Sequence, residues 1–155
     1  MKKKGFTLIE TIIYTAIFSV IIGAVVGAVY QIIQSSDKLN DKFTVEGEAQ
    51  FIMRKIEWAL TGASAINSPA SGSTGGTLSV NKTNFANNPI VFDLDAGNAR
   101  VAKGAGSPTA LNSVNVTVSN LQFQHIASGA YTPAAIKASF NVNGNPYGTT
   151  IYLRK

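Results

Sequence analysis

The sequence predicts an α+β fold in which one long amino-terminal α-helix packs against a small antiparallel β-sheet. Three observations carry that reading. Between Lys4 and Asp37 the only formally charged residue is Glu10, no proline occurs before Pro69, and beyond residue 78 short runs alternate apolar and polar side chains between turn formers. At 155 residues the chain suits one domain with a modest core. The absence of cysteine excludes a disulfide framework, a thiolate metal site and a cysteine nucleophile.

The first element is the apolar run 6–36. From Phe6 to Ile33 it would extend about 42 Å as a helix, more than the roughly 30 Å of a bilayer's hydrocarbon core. It can span a membrane with tilt to spare. Lys2, Lys3 and Lys4 form a positive cluster that holds the amino terminus on the cytoplasmic side of a single-pass anchor in the cytoplasmic (inner) membrane. A cleaved secretory signal is the competing explanation, and Val25-Val26-Gly27-Ala28 offers a small-residue end for it, but such signals have apolar regions of only about 7 to 15 residues. Neither a signal nor a plain anchor explains Glu10. An ionised side chain costs about 2.5 to 3.5 kcal/mol at the centre of a membrane helix and less near its end, so a partner is expected.

The second element continues the helix through 37–61, where Val45, Ala49, Ile52, Ile56 and Leu60 recur at steps of three and four. A helix from Phe6 to Thr61 would measure about 84 Å. Its second half is amphipathic and needs a covering layer. Gly23 and Gly27, four apart, suit either close helix packing or local melting, and Gly47 is a further candidate for a bend. Residues 62–77 are small, polar and rich in glycine and serine, which predicts a loop.

Residues 78–155 supply the sheet. Alternation places Ile90, Phe92 and Leu94 on one face, as it does Val114, Val116 and Val118, then Leu121 and Phe123, then Ile136, Ala138, Phe140 and Val142, and finally Ile151 and Leu153. Asn143-Gly144-Asn145-Pro146 marks a hairpin turn between the last two runs. The apolar face is the expected cover for the helix stripe.

Catalytic chemistry is sparse, and no catalytic residue, metal site or cofactor is predicted. His125 is the single histidine and reads as a strand decoration, because a metal requires several ligands. Asp93 and Asp95 sit at alternate positions, as carboxylates solvated at a strand end do; calcium is the competing reading. The net charge of +5 raises the question of nucleic acid, but apart from the amino-terminal lysines the basic residues are scattered without aromatic interleaving, and direct nucleic-acid contact is not expected.

The run Lys4-Gly5-Phe6-Thr7-Leu8-Ile9-Glu10, followed by the apolar segment, resembles the processing motif of type IV prepilins and type II secretion pseudopilins. The resemblance implies a pilin-like fold. It implies that residues 1–5 are a leader removed after Gly5 by a prepilin peptidase, which then methylates the amine of Phe6. Glu10 matches the family's hallmark glutamate, which pairs with the terminal amine, here that of Phe6, within or between subunits. Partners implied are other pilin or pseudopilin subunits in a homo- or hetero-oligomeric filament, a membrane assembly platform and the lipid bilayer, with the fibre extracytoplasmic after assembly. The helix 37–60, the Leu121-Gln122-Phe123 strand and the Ile151-Tyr152-Leu153-Arg154 end are similar to those of minor pilins and minor pseudopilins. The alternative function is a signal-anchored extracytoplasmic binding module or enzyme that joins no filament.

Overall fold

A computed structural model describes Gly5 and residues 7–153. The chain divides into two units, Met1–Phe43 and Thr44–Lys155. One helix, α1 (Leu8–Leu60), runs through the boundary, and nine strands follow. The sequence explains the helix limits. Thr7 caps the start, no proline interrupts it, and Gly62 at φ 75° turns the chain away beyond its end. Lys82 Nζ donates to the Trp58 carbonyl at 2.6 Å, satisfying one of the acceptors that a helix end leaves open.

In the first unit the helix is exposed along its whole apolar length. Leu8, Ile12, Phe18, Ile22, Val26 and Ile33 all face outward, and the most apolar eighteen-residue stretch has a mean hydropathy of 2.4 with none of it buried. It is a helix long and apolar enough to cross a membrane.

In the second unit the stripe expected from the spacing is buried. Ala49, Ile56 and Ala59 are fully enclosed, and Val45, Ile52 and Leu60 nearly so. Two antiparallel sheets share their core, where the sequence suggests one. The first has the order β1 (Ala63–Ser68), β3 (Leu78–Lys82), β4 (Ile90–Asp95), β5 (Asn98–Lys103) and β6 (Thr109–Ala110); the second has the order β2 (Thr74–Gly75), β7 (Val118–Ile126), β8 (Ala135–Val142) and β9 (Asn145–Tyr152). Register aligns the apolar positions: Leu78 opposes Phe92, Val80 opposes Ile90, Phe123 opposes Ala138, and Val118 opposes Val142. These residues join the helix stripe in one hydrophobic cluster.

Two tight hairpins fix the pairing of β4 with β5 and of β8 with β9. Ala96-Gly97 and Asn143-Gly144 each hold two consecutive positive φ angles, the geometry that two-residue hairpin turns with native twist require. Gly97 has a second reason, since a Cβ there would stand 3.0 Å from Thr117 Cγ2.

The stretch 62–77, expected as loop, contains β1 and β2. Alanine, serine and asparagine have little intrinsic strand preference; β1 exists because β3 supplies its ladder, from Ala63–Lys82 to Ser68–Ser79 with two irregularities. The alternation through Val114 also fails. Residues 114–115 form a turn, Val114 is fully exposed, and the strand begins at Val118. Asn112 governs this corner: its Oδ1 accepts from the Ala99 N–H at 2.9 Å and its Nδ2 donates to the Val116 carbonyl at 2.7 Å, tying the loop to β5.

Candidate processing and assembly site

The motif at the amino terminus sets its own local structure. Thr7 and Glu10 form a reciprocal capping box: the Thr7 N–H donates to Glu10 Oε2 at 3.1 Å, the Thr7 hydroxyl donates to the same oxygen at 3.1 Å, and the Glu10 N–H reaches back to Thr7 Oγ1 at 3.4 Å. Helical starts leave four amide donors open and carry a partial positive charge, so a carboxylate in the first turn answers both. Glu10 is exposed, and its position at the third residue of the helix follows from the Thr-x-x-Glu spacing. That spacing makes Thr7 readable as a partner of Glu10, although a search for charged partners alone passes it over.

Gly5 precedes the helix in irregular backbone, and among the described residues no atom lies within 4 Å of the place a Cβ would occupy. A peptidase would meet no side-chain obstruction there. Phe6, expected as the residue that is exposed by cleavage, methylated and paired with Glu10, lies outside the described residues, as does Lys4.

Further along, three hydroxyls of the apolar stretch are satisfied by their own helix. The hydroxyls of Thr11, Thr15 and Ser19 donate to the carbonyls of Thr7, Thr11 and Thr15, at 3.3, 2.8 and 2.8 Å. Gly23 and Gly27 stand in open space on the same helix, with nothing within 4 Å of either position's missing Cβ. Among the described residues, therefore, no contact demands glycine at either site.

The other candidates of the sequence have structural partners. Arg100 grips Asp93 with two bonds of 2.9 Å and reaches Asp95 at 2.6 Å, and the bonding to Asp93 raises the guanidinium pKa further. The two aspartates are thus bound to a cation already present in the fold. His125 lies on β7 with Nδ1 3.0 Å from the Pro69 carbonyl. Among the described residues no group of three or more histidine or acidic side chains is placed to hold a metal ion.

Residues 1–26 match the model of the prokaryotic N-terminal methylation motif. No curated protein and no solved structure matches the chain. The matched segment contains Gly5, the Thr7–Glu10 cap and the start of the exposed apolar helix, and this match, with the α+β architecture behind it, supports the resemblance to the type IV prepilin and pseudopilin family.

Proposed function

We propose that this protein is a minor structural subunit of a type IV pilus or type II secretion pseudopilus, and not an enzyme. In this reading a prepilin peptidase cuts after Gly5 and methylates Phe6. The subunit waits in the cytoplasmic membrane with its amino terminus on the cytoplasmic side, and an assembly platform moves it into a helical filament beside other pilin or pseudopilin subunits. The observation that carries the reading is the matched methylation motif joined to a membrane-length apolar stretch of helix with none of that stretch buried. A bilayer covers that surface in storage and neighbouring helices cover it in a fibre, where lipid contacts are exchanged for helix packing.

Glu10 serves as the assembly charge. Its carboxylate stands one turn into the helix, close in sequence to the amine that cleavage creates on Phe6. Between subunits, the amine of one chain meets the Glu10 of another, and a subunit out of register leaves a charge of either sign unpaired at a cost of several kcal/mol. Gly23 and Gly27 support the same packing, because the space left by their missing side chains is open to another molecule.

The test is the intact mass of the membrane-extracted protein. Loss of residues 1–5 and gain of one methyl group is expected. A mass that retains the lysine cluster, or that corresponds to a start near Val29, would overturn the reading. Conversion of Gly5 to a bulky residue is expected to accumulate the uncut precursor.

A further inference from the structure

Each sheet ends in two edge strands, and three of these four edges are blunted. β2 and β6 have two residues each, and β1 carries two irregularities in its pairing with β3. The fourth edge is β9. It runs for eight residues, keeps an unbroken register with β8 and includes no charged side chain. A long, regular, uncharged edge is the form that invites another strand.

The pairing pattern decides which groups of β9 are open. Just past the strand, the Leu153 N–H donates to the Ala134 carbonyl at 2.8 Å. Residues of an antiparallel pair alternate between bonding their partner and facing away, and Ile151 opposes Ile136 and Thr149 opposes Ala138 in the same register. The N–H and C=O groups of Gly148, Thr150 and Tyr152 therefore point away from β8, and no described residue bonds to them. Pro146, which has no N–H, closes the open stretch at its other end. All three open residues are exposed, Tyr152 at 62%. Gly148 has to stay bare, since a Cβ there would stand 3.0 Å from the Ala138 carbonyl oxygen.

We propose that this edge pairs with β9 of a second copy of the chain, antiparallel and centred on Thr150. In that register Thr150 opposes Thr150 of the partner subunit, and Gly148 of each copy opposes Tyr152 of the other. Every open N–H and C=O from Gly148 to Tyr152 then finds a partner. Each Tyr152 ring lies across the bare backbone at the other copy's Gly148, an arrangement in which an aromatic covers an edge glycine. No like charges face each other. The edge is thus complementary to itself, as a surface joining two identical chains about a two-fold axis must be. Such a contact closes on itself and gives pairs, not a fibre. It is also narrow, well below the area of a stable dimer, so dilute subunits stay apart and pairing follows from crowding in one bilayer. The inference stands independently of filament assembly, since every residue involved lies in the unit Thr44–Lys155.

The chain has no cysteine, so a single-cysteine variant of the full chain carries one thiol. The variants are packed densely in lipid vesicles and oxidised with copper phenanthroline in air. Thr150→Cys is expected to form a disulfide dimer at least tenfold faster than Val114→Cys, whose fully exposed turn position reports random collision. Opposed residues of a bonded pair stand about 5.5 Å apart between Cα atoms, within the roughly 4.4–6.8 Å that a disulfide spans. Thr149→Cys lies diagonal to its counterpart at about 7–8 Å and is expected to dimerise no faster than Val114→Cys. Tyr152→Pro added to Thr150→Cys removes one open donor without touching a bond to β8, and is expected to slow the dimer at least tenfold. Unchanged emission from Trp58, the single tryptophan, checks that each variant folds. Cross-linking of Thr150→Cys no faster than that of Val114→Cys, faster cross-linking of Thr149→Cys than of Thr150→Cys, or a rate indifferent to the proline would each overturn the proposal.

Discussion

Glu10 performs two tasks that single substitutions can separate. Its carboxylate closes the cap with Thr7, and in the proposed filament its charge meets the amine of a neighbour. Glutamine can close a capping box without the charge. Glu10→Gln is therefore expected to leave insertion and the helix start intact while abolishing incorporation into filaments, and Glu10→Val to insert normally and incorporate equally poorly. Thr7→Val keeps the charge and loses the cap, at a cost of about 1 kcal/mol to the helix start, and should still assemble. Filament yield from sheared cells, with membrane fractions as the insertion control, checks all three. If Glu10→Gln assembles like the wild type, capping and not charge explains the glutamate. The motif itself is fully legible in the sequence, because its chemistry depends on adjacent residues. The cap is legible too, through the Thr-x-x-Glu spacing, but a carboxylate in an apolar run draws attention toward charged partners first.

At the scale of elements, readability follows periodicity. The helix stripe from Val45 to Leu60 and the strands ending in Val142 and Tyr152 repeat with the spacing of their own geometry, and each apolar position expected there is buried or partly buried. β1 has no such pattern, since its Ala, Ser and Asn residues are held by the pairing with β3 and not by burial. Val114 is the reverse case, with strand-like spacing in a turn shaped by Asn112. That asparagine bonds to backbone groups 13 residues before it and 4 after it, a relation no local pattern encodes. Asn112→Leu strands the Ala99 N–H and the Val116 carbonyl in a dry corner. A loss of about 2 kcal/mol or more is expected, measured by denaturant unfolding followed through Trp58 emission. A change below about 0.5 kcal/mol would show that water or a shifted loop replaces the amide.

Across the whole molecule, apolar surface is managed in two different ways. The unit from Thr44 onward closes its core with its own side chains, whereas the apolar helix of the preceding unit has none of its span buried. A chain begun at Asp37 is accordingly expected to remain soluble and monomeric without detergent, while the full chain requires detergent or lipid; sedimentation velocity checks both. Surface charge belongs to the same scale: Arg54 and Lys55 of α1 and Lys103 at the end of β5 line one cleft only once the helix has packed on the first sheet. Scattered basic residues in a linear reading are for that reason no guide to the electrostatics of the surface. The anchor, for its part, is prepared for a change of surroundings. Since the hydroxyls of Thr11, Thr15 and Ser19 are already spent on carbonyls of their own helix, an exchange of lipid for neighbouring helices, as the proposed filament requires, would break none of these hydrogen bonds.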